Sequence, residues 1–189
     1  MSTLVSHPND VIELDIPNEV LRHATLNAHK GSMNQYSQLG GERNVDGLLA
    51  ELMVHRYLPK MLHQPTSFYD LITPPGYRPL TIDVKNKFDV KRQGGKPDLD
   101  WDCTIYGYEA GKACDLYLFT STNSTNTKIW LKGFIDKKGL VNEQNLYRAG
   151  STRRTTQGSV TYRKDNYVLQ VKQLGTMAYL KSSIAVILS

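Results

Sequence analysis

The chain has 189 residues, 40% hydrophobic and 22% charged, an ordinary balance for one domain with its own core. No stretch approaches the ~20 apolar residues of a membrane-spanning helix, and Met1 to Asp10 has neither the basic start nor the apolar run of a secretory signal. A formal net charge of +5 suits a polyanionic partner such as nucleic acid, and two cysteines eleven positions apart, Cys103 and Cys114, make neither a CxxC pair nor a disulfide framework, so a reducing, cytoplasmic setting is expected.

In chain order, Pro17 opens a predicted helix through about Lys30, with Val20, Leu21, Ala24 and Ala28 on one side. Gly31 and Gly40-Gly41 bracket a polar connection. A second helix is predicted from about Arg43 to Leu58, ending before Pro59; its apolar Val45, Leu48, Leu49, Leu52 and Met53 recur at helical spacing and should pack on a sheet. Ser67 to Thr73 reads as a short strand that stops at Pro74-Pro75-Gly76. Leu80 to Phe88 alternates: Leu80, Ile82, Val84 and Phe88 point one way, Thr81, Asp83, Lys85 and Lys87 the other. A polar loop with Gly94-Gly95 and Pro97 follows. Cys114 to Thr120 and Lys128 to Ile135 are predicted strands joined by a turn at Asn123 to Asn126, and Tyr167 to Val171 is one more. Leu174 to Leu188 fits helix or strand equally. The order implies a single α/β domain over 1–189: a helical part (1–62), a mixed central sheet (63–136), and a basic loop with C-terminal elements (137–189).

The chemistry concentrates on the alternating strand. Asp83 and Lys85 share a face and stand roughly 7 Å apart along it. The other face is apolar, so two opposite charges sit on a core strand, where charge is costly unless paired or metal-bound. Asp70 lies on the preceding strand; if the two strands pair, Asp70 and Asp83 converge, and a divalent cation resolves their repulsion. Mg²⁺ suits such a set, taking one or two carboxylates, several waters and substrate phosphate oxygens. Glu51 borders the apolar stripe of the second helix, an unusual place for a glutamate without a partner, and is a candidate further ligand for metal or water. The bland alternatives are a surface ion pair for Asp83 and Lys85 and a rim glutamate for Glu51.

Glu51 on a helix, Asp70 on a strand and Ile82-Asp83-Val84-Lys85 on the next strand together resemble the PD-(D/E)XK nuclease superfamily, the restriction-endonuclease-like fold. The strands Cys114 to Phe119 and Ile129 to Ile135, and Asn166-Tyr167-Val168 before Leu174, are similar to that family's later core, so the resemblance spans about residues 43 to 180. Tyr69 stands where the motif's name has proline, a position at which the family varies. The resemblance implies a mixed central sheet flanked by helices and hydrolysis of DNA, or occasionally RNA, with Mg²⁺ or Mn²⁺. It implies Asp70 and Asp83 as metal ligands, joined by Glu51 and the Val84 carbonyl, and Lys85 as the catalytic lysine. The expected activity is a metal-dependent endodeoxyribonuclease. A catalytically inactive nucleic-acid-binding module of the same fold and an RNA-directed nuclease are the alternatives, and a homodimer is compatible with either.

Two basic segments extend the reading. Lys87, Lys91, Arg92 and Lys96 follow the motif, and no acidic residue lies between Glu143 and Asp165, a gap holding Arg148, Arg153, Arg154, Arg163 and Lys164 with Tyr147 and Tyr162. These side chains are expected to hold the phosphate backbone, a contact that positions without reading sequence; each cluster is equally compatible with a solvated loop. Asp98, Asp100, Asp102 and Glu109 occupy the acidic positions of a calcium-binding EF-hand loop, but Cys103 stands where its sharp turn requires glycine and no helices can flank it. The five histidines form no HExxH zinc pattern, although His55 shares a helical face with Glu51.

Overall fold

The alternating segment forms the long strand around which the other elements are arranged. In a computed structural model of the chain, which describes residues 11–28, 42–88, 97–155 and 158–189, a six-stranded mixed sheet contains β1 (Ile12–Asp15), β2 (Leu62–His63), β3 (Leu71–Ile72), β4 (Thr81–Phe88), β6 (Leu116–Thr122) and β7 (Lys128–Asp136). Their order is β1-β7-β6-β4-β3-β2, with β4 and β6 parallel and all other neighbours antiparallel. β5 (Asp102–Tyr106), β11 (Asn166–Gln170) and β8 (Leu146–Tyr147) form a three-stranded sheet in the order β5-β11-β8, and β9 (Thr152–Thr155) pairs with β10 (Gly158–Thr161) as a hairpin. Among the described residues the helices are α1 (Asn18–Asn27), α2 (Glu42–Tyr57), the short α3 (Lys137–Leu140) and α4 (Met177–Ile187). The chain is thus a mixed α/β protein. No helix among the described residues is long and apolar enough to cross a membrane.

Alternation along the central strands builds a core on each face. Ile82 of β4, Leu116 and Leu118 of β6, and Ile129 and Leu131 of β7 pack with Leu48, Leu49 and Met53 of α2 and Met177, Leu180 and Ile184 of α4. The intervening Tyr117, Phe119 and Trp130 pack on the opposite face with Trp101, Cys103, Ile105 and Leu169. Every residue of β6 is buried, as expected for a central strand covered on both faces. α4 is fastened to β7 by a reciprocal pair of backbone bonds between Phe134 and Gly175. There Gly133 has φ +140°, and a Cβ on it would lie 2.5 Å from the Gly175 carbonyl, so no larger residue fits.

Several boundaries differ from the pattern reading. β1 precedes the first helix and closes the sheet edge against β7, a long-range pairing its four residues do not announce. The strand predicted over 67–73 shrinks to β3, because the Thr66 hydroxyl accepts the Phe68 and Tyr69 amides and curls that backbone into a turn. The region expected to be a polar loop contains β5 and the 3-10 helix Gly107–Gly111. The ambiguous C-terminal stretch is helical, with the Thr176 hydroxyl accepting the Tyr179 amide at its N-cap.

Candidate active site

Register decides the first convergence. β3 pairs with β4 through Leu71↔Ile82 and Ile72↔Thr81, so continuing one step places Asp70 opposite Asp83 on the face away from the helical core. The Asp70 amide donates to the Ile82 carbonyl at 2.9 Å. β3 contributes only Leu71 and Ile72 to the ladder, and the edge of β4 continues past it. The Asp70 side chain takes over there: its Oδ2 accepts the Val84 amide at 2.7 Å. Because N–H and C=O of one strand residue point to the same side, the Val84 carbonyl faces this same edge. Asp70 and Asp83 are 8% and 2% exposed.

Asp83 Oδ2 lies 3.0 Å from Lys85 Nζ and 3.2 Å from Lys112 Nζ. Lys85 also donates to Glu109 Oε1, which lies 3.9 Å from Lys112. Glu109 stands on the 3-10 helix, where its other oxygen accepts the Tyr106 amide at 2.9 Å and its carbonyl accepts the Tyr117 hydroxyl at 2.9 Å. From the opposite layer, α2 brings Glu51 to the open edge of β4, with its Oε2 3.1 Å from His63 Nε2 on β2. The four residues singled out in the sequence therefore meet. Glu109, Lys112 and His63 join them unforeseen; Glu109 was legible only as the last acid of a false EF-hand pattern. Of the other acids in that pattern, Asp102 pairs with Arg153 at 2.6 Å and Asp100 with Lys172 at 2.6 Å, so the set is dispersed.

The electrostatics are those of crowded, buried acids. Burial, then the neighbouring Asp83, pushes Glu51 from its ordinary 4.5 up to about 8, against the pull of Lys85 and Lys112. Burial, then Glu51 and Asp83, raises Asp70 well above its ordinary value despite its bond from Val84. Burial disfavours the Lys85 ammonium, but Asp83 and Glu109 more than offset it and hold the lysine charged. Burial lowers His63, favouring the neutral ring.

Among the described residues, no three His, Cys, Asp or Glu side chains are placed to hold a metal ion together. Asp70, Asp83 and Glu51 each commit one oxygen to a protein partner, and two ammoniums stand at Asp83. The donor set nevertheless fits a hard divalent cation. All its acidic donors are oxygens, and four carboxylates (Glu51, Asp70, Asp83, Glu109) against two lysines leave two negative charges when all are ionised. A divalent ion would offset the burial penalty and the mutual repulsion that together raise Glu51 and Asp70.

The basic residues take several roles. Lys87 is exposed on the Asp83 face of β4; Lys91, Arg92 and Lys96 lie outside the described residues. Arg153 is part-buried, paired with Asp102 and set over the Tyr147 ring at 5.4 Å, so it acts in the fold. Arg148 is exposed and approaches Asp165 at 3.4 Å and Glu143 at 3.8 Å. Arg154 on the hairpin, Arg163 and Lys164 are exposed. No family model matches the chain, and a search of curated proteins found no relative.

Proposed function

We propose that the protein is a metal-dependent nuclease of the restriction-endonuclease-like kind, hydrolysing phosphodiester bonds of DNA. The observation that carries this reading is the convergence of Asp70, Asp83 and Lys85 at the open edge of β4, with Glu51 reaching it from α2. Nothing in plain binding of a polyanion calls for three buried carboxylates.

Asp70, Asp83, the Val84 carbonyl and Glu51 would hold Mg²⁺ or Mn²⁺, which when bound lowers the pKa of a water ligand and neutralises phosphate charge. The chain's own part is electrostatic and positional. Lys85, kept charged by Asp83 and Glu109, offsets the negative charge that builds on the scissile phosphate. Glu109 limits the rotation of that ammonium, and Lys112 supplies a second cation on the same side. Glu51, protonated near neutrality in the metal-free protein, would give up that proton when the cation binds. Exposed Lys87 and the cations around the β9–β10 hairpin hold flanking phosphates.

The test is cleavage of supercoiled plasmid, linear duplex, single-stranded and branched DNA, and RNA, in Mg²⁺, Mn²⁺ or EDTA. Metal-dependent cutting by wild type, lost in Lys85→Ala while binding and fold persist, is the expected result. Cutting that survives both Lys85→Ala and Asp83→Ala overturns the proposal. Binding without cutting in every metal makes the protein an inactive binding module.

A further inference from the structure

Beside the acidic cluster lies a surface that the cleavage chemistry does not use. Tyr106 and Tyr108, at the start of the 3-10 helix, are 46% and 54% exposed, unusual for two neighbouring large rings. Their rings stack on one another, with centroids 5.4 Å apart and planes 15° apart. Lys164 Nζ lies 5.8 Å from one ring centroid and 6.0 Å from the other. Next to them opens a cleft of about 230 Å³ lined by Tyr108, Leu146, Arg148, Lys164 and Tyr167. Asp165 also lines it, but its carboxylate is engaged by the Ala149 amide at 2.8 Å and by Arg148. The surface therefore offers flat aromatic area, two exposed cations and one locally neutralised acid.

We infer that this surface binds an unpaired nucleotide of a single-stranded polynucleotide, its base stacked on the exposed tyrosines and its phosphates held by Lys164 and Arg148. Stacked rings edged by cations are the recurring way of holding single strands, because every base has a π-face and every link a charge. A duplex hides those faces within its own stack, so the surface selects substrate that is single-stranded or locally splayed. A polyanion also matches the chain's net charge of +5. The surface is joined to the cluster through one side chain: Glu109 accepts the Tyr106 amide on one oxygen and Lys85 on the other. This inference deepens the nuclease reading and rests on it for the meaning of the site, though not for its test.

The experiment is fluorescence anisotropy of a labelled oligothymidylate and of a matched duplex, in EDTA so that nothing is cut. The proteins are wild type, Tyr106→Ala/Tyr108→Ala, Tyr106→Phe/Tyr108→Phe and Lys164→Gln. Loss of base–aromatic stacking should weaken single-strand binding by about tenfold or more in the double alanine variant, with duplex binding changed much less. The double phenylalanine variant should retain wild-type affinity, and Lys164→Gln should lower the salt slope by about one phosphate contact. Single-strand affinity unchanged in the double alanine variant, an equal loss for duplex, or no binding by wild type overturns the inference. Unchanged melting of the variants guards against misfolding. Because cleavage plays no part, a wild type that cuts DNA in Mg²⁺ but fails here keeps the nuclease and loses the platform. Tyrosine-dependent binding by a protein that never cuts has the opposite meaning.

Discussion

The open edge of β4 and the basic surface around the β9–β10 hairpin both carry several charged side chains and differ in burial. At β4, four carboxylates and two lysines are crowded together and largely buried, with Asp83 2% exposed and Glu51, Asp70 and Lys85 shifted by their neighbours as well as by burial. Around the hairpin, Arg154, Arg163 and Lys164 stand in solvent. Charges of the first kind pay desolvation and are kept in a fixed relation to one another, which suits work on a reacting centre. Charges of the second kind act additively and are screened by salt, which suits holding a backbone. Density of charge in the sequence does not separate the two; water does.

The comparison can be broken at its strongest point. Replacing Lys85 by Ala should lower kcat by about 10²–10³-fold, the cost of losing one preorganised group that stabilises a developing oxyanion, with little change in DNA affinity measured in EDTA. A change confined to affinity would place Lys85 with the hairpin cations.

The two aspartates should part company in stability. Asp83→Asn removes the more buried of the two carboxylates that Lys85 and Lys112 share, leaving only Glu109, and should destabilise the metal-free protein by about 3 kcal/mol in denaturant unfolding. Asp70→Asn keeps an acceptor for the Val84 amide and removes an acid already driven toward its neutral form, so stability should hold or rise. Equal losses would mean that Asp70 is ionised without metal.

Glu51 sets a pH dependence. Its folded value of about 8 lies above the ordinary 4.5, so the native state binds the proton more tightly than the unfolded chain. The stability this contributes is complete below about pH 4.5 and is lost as pH rises through about 8. Relative to wild type, Glu51→Gln should become more stable as pH rises across that window, by up to about 5 kcal/mol at its alkaline end. Mg²⁺ should reverse the difference, since ionised Glu51 then has a cation beside it. A flat profile in thermal melts from pH 5 to 9 would show that Glu51 carries no such shift.

The smallest effects belong to the arginines. Arg153→Ala should cost about 1–2 kcal/mol of stability through its pair with Asp102 and its place over Tyr147. Arg154→Ala should leave melting unchanged and reduce the salt slope of DNA binding by about one. The reverse assignment would show that the hairpin is turned the other way in solution.

Sequence pattern alone determined much of this. Period-two alternation placed Asp83 and Lys85 together on one face of β4, and helical spacing placed Glu51 at the rim of α2's apolar stripe, because side-chain direction follows local backbone geometry. Tertiary structure decided the rest. Glu109 and Lys112 lie 24 and 27 positions after Lys85, and only the packing of the 3-10 helix against β4 and β6 makes them its neighbours. Neighbouring arginines 153 and 154 look alike as text, yet alternation on a strand buries one against Asp102 and exposes the other. β1 was illegible for a related reason, since its four residues depend on β7 from far along the chain, whereas β9 and β10 pair only with one another and their mostly exposed polar residues leave no apolar alternation to read. Local periodicity determines which way a side chain points; what it meets there is settled by segments distant in sequence, whose approach is governed by burial.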